Sequence, residues 1–68
     1  MIDTGRLKKI FEEKGMSQGK IAAHLGMSRN TFYKKMKKGV FDSDEIETMV
    51  QLLRIEKPIE IFFTINGT

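Results

Sequence analysis

The chain has 68 residues, with 12 Lys and Arg against nine Asp and Glu, for a formal net charge of +3. Domains cluster near about 100 to 150 residues, so we expect a single domain over 1–68 and no separate catalytic domain. The chain contains no cysteine, which excludes disulfides, thiolate metal sites and a cysteine nucleophile. Its apolar runs are too short to cross a membrane, and we expect a cytoplasmic protein.

Charge is distributed unevenly along the chain. Residues 1–40 carry ten basic and three acidic residues, whereas residues 41–68 carry two basic and six acidic ones. No acidic residue occurs between Glu13 and Asp42, a stretch that holds seven lysines and arginines. This pattern predicts a surface that faces phosphate, with an acidic remainder that limits non-specific binding. A basic run alone is equally typical of a solvated lysine face.

The first predicted helix has Asp3 or Thr4 as its cap and ends at Gly15, because glycine readily takes the left-handed conformation that closes a helix. Its apolar face repeats at helical spacing. The residues of that face are Leu7, Ile10 and Phe11.

The signals that mark the start and the end of a helix predict that the second helix is short, with about eight residues. Ser17 is its N-cap, and Met16 and Ile21 occupy the two positions of a hydrophobic staple. Gly26 ends it. The same signals recur at once, so that Ser28 caps a third helix over about 29–38 and Gly39 closes it.

A fourth helix is predicted to start at Asp42. Glu45, three residues on, completes a capping box in which aspartate replaces serine, and Phe41 and Ile46 form the staple. Its buried stripe then repeats at helical spacing. The stripe consists of Ile46, Met49, Val50 and Leu53.

The closing segment admits two interpretations. Pro58 suits the first position of a fifth helix, where its missing N–H costs nothing. The apolar residues within 59–65 also alternate as in a strand, which would pair with its copy in a dimer. We favour the helix, and therefore an all-α fold of five short helices.

The second and third helices together have the parts of a helix-turn-helix unit over about 17–39. Ala22 is small enough for the third helix to cross closely, and Gly26 permits the sharp turn between the two helices. The apolar side chains that hold the pair together are Ile21, Leu25, Phe32 and Met36.

The segment SQGKIAAHLGMSRNTFYKKMKKG resembles the helix-turn-helix of the Cro and phage-repressor (XRE-type) family. The loop GVFDSDEI and the closing PIEIFF are similar to small phage-encoded regulators of that family, so the resemblance covers about sixty residues. It implies a lambda-repressor-like DNA-binding domain whose third helix lies in the major groove. Lys35 departs from the family pattern, which often has an apolar residue there; Met36 fills that role instead.

A helix that enters the major groove presents its N-terminal residues to base edges. With Phe32 and Met36 on the inner face, the outer face carries the residues that we predict to read bases. Arg29 can bond guanine bidentately and Asn30 can bond adenine in the same way. The predicted base-reading residues are Ser28, Arg29, Asn30 and Lys34, with Thr31 as a weaker candidate.

A second group of residues is predicted to position the protein on phosphates, which supplies affinity rather than sequence choice. The family resemblance implies this role for Gln18, at the start of the second helix. The other members are Tyr33, Lys35, Lys37 and Lys38. For Lys35 and Lys37, a solvated lysine is an equally good interpretation.

The remaining polar residues predict no catalysis, metal or cofactor. His24 is the only histidine and has no cysteine with which to form a metal site or a nucleophile–base pair. The acidic residues after Asp42 stand at a helix N-terminus, where the helix dipole favours them.

Together these features predict a sequence-specific regulator of transcription, in the manner of a repressor, that binds an operator in double-stranded DNA. A homodimer is expected, formed in solution or only on DNA, with 58–68 as the dimerisation segment. The alternative is a protein-interaction modulator or antirepressor that binds a partner repressor. Such a module would expose an apolar third helix, whereas this one is basic.

Overall fold

A computed structural model describes residues 2–63 of the chain. Within that range the chain forms five α-helices and no strand. The helices are α1 (Thr4–Glu13), α2 (Gln18–His24), α3 (Arg29–Lys38), α4 (Ser43–Leu53) and α5 (Pro58–Phe62). The predicted all-α fold of five short helices is confirmed for this part of the chain.

Side-chain caps begin the first three helices, because each cap satisfies an N–H that has no partner inside the helix. In each case the cap's oxygen accepts a hydrogen bond from the N–H three residues on, at 3.1–3.2 Å. The caps are Asp3, Ser17 and Ser28. At the start of α4, the Glu45 carboxylate accepts the N–H of Asp42 at 2.8 Å, as the capping box predicts.

A glycine in the left-handed conformation follows α2, and another follows α3. Gly26 follows α2 and Gly39 follows α3, both with φ of 71°, a region that glycine enters without steric cost. The end of α4 was not predicted. It falls at Arg54, whose φ of 52° makes it the one non-glycine residue with positive φ in 2–63.

Apolar side chains from all five helices meet in one core. Phe32 of α3 lies at its centre, with its ring 6.1 Å from that of Phe11 and 5.5 Å from that of Phe41. Phe32 is fully buried. The other fully buried large side chains are Leu7, Ile21, Met49 and Leu53.

The segment for which strand and helix were both open is helical over Pro58–Phe62. Ile61 and Phe62 are both buried, and adjacent residues cannot share one face of a strand, where successive side chains point in opposite directions. The backbone N–H of Asp3 donates to the carbonyl of Ile61 at 2.7 Å, which ties this helix to the start of α1. Ile65 of the alternating pattern lies outside the described residues.

Candidate nucleic-acid interface

Helices α2 and α3 pack as a helix-turn-helix. The turn between them runs through Gly26, and the N–H of Met27 donates to the carbonyl of Ala22 at 3.0 Å. Ala22 is buried at the crossing. From α3, Phe32 and Met36 turn into the core, as the sequence predicted. The opposite face of α3 is therefore left to solvent.

The first turn of α3 presents three polar residues at the surface. Arg29 and Asn30 are exposed and lie directly after the cap. The Ser28 hydroxyl accepts the N–H of Thr31 at 3.2 Å and donates to the Thr31 hydroxyl at 3.0 Å. Ser28 therefore holds the helix start with the hydroxyl that was predicted to read a base, while the side chains of Arg29 and Asn30 take no part in this cap.

Further along α3, an open groove separates this helix from the N-terminal turns of α1 and α2. Gln18, Tyr33 and Lys37 line it, so three of the predicted positioning residues come together. The groove has a volume of about 460 Å³. Tyr33 is 47% exposed, with its ring edge-on to that of Phe32 at 6.5 Å. Such a groove, lined by an amide, a phenol and an ammonium group, has the donors that a phosphodiester requires.

Lys8 of α1 also lines this groove, opposite α3. Sequence reasoning missed it, because Lys8 lies outside the helix-turn-helix motif. No local signal distinguishes Lys8 from its neighbour Lys9; only the packing of α1 brings it to the groove.

Lys35 lies apart from the other lysines. Its ammonium nitrogen is 2.8 Å from both carboxylate oxygens of Glu45 on α4, and 3.7 Å from Asp42. The side chain is only 27% exposed. This geometry revises the phosphate-contacting role predicted for Lys35: the residue joins α3 to α4, and its charge is already balanced.

The contact between Lys35 and Glu45 shifts the pKa of each side chain. The hydrogen bond from Lys35 to Glu45 raises the pKa of Lys35, and it outweighs partial burial, which acts the other way. Burial by itself would raise the pKa of Glu45, but the bonds from Lys35 and from the Asp42 N–H outweigh it and leave that pKa lowered. Both groups are held in their charged forms near neutral pH.

The other lysines of α3 do not pack into the core. Lys34, Lys37 and Lys38 are exposed. His24 is exposed on α2. Among residues 2–63, no group of three or more His, Cys, Asp or Glu side chains lies close enough together to hold a metal ion. None of the described helices is long and apolar enough to span a membrane.

The packed helix pair, with its buried inner face and basic outer face, defines the protein as a helix-turn-helix domain. The sequence comparison agrees, since a family model described as an antitoxin Xre-like helix-turn-helix domain matches residues 7–54, more than half of the chain. The protein belongs to this Xre-like family, which confirms the XRE-type resemblance. The match covers α2, α3 and α4 and ends before α5. No curated protein and no solved structure matches the chain.

Proposed function

We propose that the protein is a sequence-specific regulator of transcription that binds double-stranded DNA with α3 in the major groove. The observation that carries this proposal is the division of α3 into two faces. Phe32 and Met36 are buried, while Arg29 and Asn30 stand exposed at the helix start. That is the part of a recognition helix that reaches base edges in helix-turn-helix complexes.

Arg29 and Asn30 are the proposed base readers. A guanidinium group matches the O6 and N7 acceptors of guanine, and a carboxamide matches N6 and N7 of adenine. Each such pair contributes about 1–3 kcal/mol of discrimination against a wrong base. Lys34 is exposed on the same helix, and we propose that it reaches a base edge further along the groove. Ser28 acts chiefly as the cap that fixes the helix start.

Phosphate contacts are proposed for the residues around the groove between α1, α2 and α3. Gln18, Tyr33 and Lys37 were predicted for this role, and Lys8 joins them through its position in the groove. Lys38 is exposed at the end of α3 and is the remaining proposed contact. Contacts of this kind hold the recognition helix in register without reading sequence. We also propose a cytoplasmic location for the protein.

Selection from random duplex DNA with the purified chain tests the proposal directly. We expect the wild-type protein to enrich a defined short sequence. Arg29→Ala and Asn30→Ala should each relax the preference at particular base pairs, whereas Lys38→Ala should weaken binding to all sequences about equally. Selection that enriches no sequence at low salt would contradict the proposed function.

We also propose a homodimer on a two-fold operator, because one copy of α3 reaches only a few base pairs. Two recognition helices that read successive turns of one DNA face lie about 34 Å apart. In the described part of the chain, Ile59 is 71% exposed and Phe63 is 60% exposed, although both are large apolar residues. Since they belong to α5 and its end, α5 is the proposed dimer contact.

The alternative function is a module that binds a partner protein, and one observation favours it. The matching family is described as one of antitoxin domains, and an antitoxin acts on a toxin. Ile59 and Phe63 lie outside the matched region and offer apolar surface to such a partner. The DNA selection separates the two functions, because a pure protein-binding module gives no Arg29-dependent enrichment.

A further inference from the structure

Gly19 is the second residue of α2, a helix of seven residues. Its backbone does not require glycine, because the described glycines with positive φ are Gly15, Gly26 and Gly39. Within a helix, glycine is less favourable than alanine, since it has more backbone freedom to lose. Neither the backbone conformation nor helix propensity explains the glycine at this position, so we looked for its explanation in the side chains packed around it.

The packing supplies one. A Cβ atom at position 19 would lie 2.6 Å from Nε of Arg29, 2.9 Å from its Nη2 and 3.0 Å from its Cζ. A carbon atom cannot lie this close to a nitrogen atom to which it is not bonded, so the guanidinium group would have to shift. The guanidinium group of the first residue of α3 thus rests on the bare backbone of α2, in space that any other residue at position 19 would occupy.

Gly5 shows that this contact is particular to position 19. It is likewise the second residue of its helix, α1. A Cβ atom there would come no closer than 3.6 Å to its nearest neighbour, an Asp3 carboxylate oxygen, which is an ordinary van der Waals distance. The two glycines have the same place in a helix and different surroundings.

We propose that Gly19 is a positioning residue for base recognition, which holds the Arg29 guanidinium over the first turn of α2 before DNA binds. The inference rests on the proposed function and extends it. An arginine on the surface has many rotamers, and restricting it in advance lowers the entropy lost on binding. The space left by the missing Cβ of Gly19 also determines where the Arg29 guanidinium group lies relative to a base edge. Specificity at that base pair therefore depends on a residue that does not touch the base.

The test is Gly19→Ala in the full chain, with Gly5→Ala as the matched control. Alanine is the better helix former, and the group in its way is the end of a flexible side chain. We therefore expect a melting temperature equal to or above that of the wild type. The preference at the base pair that depends on Arg29 should fall about tenfold, within the range of one bidentate contact. The preference that depends on Asn30 should remain, and Gly5→Ala should leave both preferences unchanged.

A second pair of variants separates positioning from other effects. In an Arg29→Ala background, Gly19→Ala should cause no further change in sequence preference, because the side chain that it displaces is gone. In the free wild-type protein, an NMR cross-peak should join the Arg29 Hε proton to the Gly19 Hα protons. This cross-peak requires no DNA.

The outcomes that overturn the inference differ from those that overturn the proposed function. If the wild type selects a sequence and Gly19→Ala keeps the full Arg29-dependent preference, the positioning role is refuted and DNA binding stands. A fall in melting temperature on Gly19→Ala, or a missing cross-peak, also refutes it. If the wild type selects no sequence, both proposals fail together.

Discussion

Lys35 and Lys37 are two residues apart on α3 and have different surroundings. Lys35 is bound to both oxygens of Glu45 at 2.8 Å, whereas Lys37 lines the groove with Gln18 and Tyr33. A lysine whose charge is balanced within the protein displaces few counterions from DNA. A free lysine that reaches a phosphate displaces about one.

We therefore expect Lys37→Gln to lower the slope of log affinity against log salt concentration by about 0.9, the value for one lost phosphate contact. Lys35→Gln, the same change on the same helix, should leave that slope near the wild-type value and reduce thermal stability instead. Fluorescence anisotropy titrations at several salt concentrations measure the slope. Equal slopes for the two variants would contradict the roles assigned to both lysines.

Because the pKa of Glu45 is lowered in the folded protein, we expect the free energy of unfolding to depend on pH in the acidic range. That pKa lies below the ordinary value of 4.5, so the unfolded chain binds this proton more readily than the folded one. The stabilisation that Glu45 provides is present above about pH 5 and is lost as the pH falls through the lowered pKa. In Glu45→Gln, the unfolding free energy should fall less steeply between about pH 5 and pH 3. Chemical denaturation at each pH measures this slope.

Glu47→Gln is the matched control, since Glu47 is an exposed carboxylate of the same helix. It should keep the wild-type slope. If Glu45→Gln and Glu47→Gln behave alike, the pair between α3 and α4 does not govern the acid response.

At the scale of the element, the end of α4 is a strained helix terminus. Arg54 has the left-handed φ of 52° at a position where other helices of the chain use glycine. A side chain in this conformation has its Cβ close to the backbone, which costs about 1–2 kcal/mol. The Arg54 side chain is exposed, so its removal loses little packing.

We expect Arg54→Gly to stabilise the protein by about 0.5–1 kcal/mol, the relief of strain being partly offset by the extra freedom of glycine in the unfolded chain. Arg54→Ala retains a Cβ atom and should bring no such gain. Thermal and urea unfolding measure both variants. A gain of equal size in Arg54→Ala would assign the effect to the side chain and not to the backbone.

Helix α3 shows how one element serves the core and the proposed interface together. Phe32 is buried between Phe11 and Phe41, and Met36 follows one turn later on the same face. This packing fixes the rotation of the helix about its axis. Rotation in turn decides that Arg29 and Lys34 point outward, so the core determines which side chains are available to DNA.

At the scale of the whole molecule, the proposed dimer depends on α5. The helix is anchored by Ile61 and Phe62, which are buried, and leaves Ile59 exposed. Ile59→Glu should therefore leave folding intact and weaken self-association, because it places a charge in the proposed contact and removes nothing from the core. Sedimentation equilibrium with and without a two-site DNA duplex measures the association.

The two-fold arrangement also predicts a spacing. Wild-type affinity should be highest when two half-sites lie about one helical turn apart, at about 10 base pairs. Ile59→Glu should bind one half-site as the wild type does and lose the advantage of the second. A wild-type protein that binds single half-sites with full affinity and stays monomeric on DNA would contradict the dimer.

Local patterns in the sequence were sufficient to predict most of the described fold. The caps at Ser17 and Ser28, the glycines after α1, α2 and α3, and the inward positions of Phe32 and Met36 all appear where they were predicted. These features depend on residues within about four positions of one another, so the hydrogen bond or packing contact follows from spacing alone. The helical state of α5 was less certain, because the spacing of apolar residues in so short a segment fits a helix and a strand equally well.

Contacts between distant parts of the chain were decided only by the tertiary structure. Spacing does not tell which lysine of a basic run meets an acid on another helix, and the structure pairs Lys35 with Glu45. Packing likewise brings Lys8 of α1 to the groove beside Gln18 and rests Arg29 on Gly19. The sequence by itself determined the helices and the helix-turn-helix, because their causes are local. Only the tertiary structure decided the partners of charged side chains, because these depend on how helices far apart in sequence pack together.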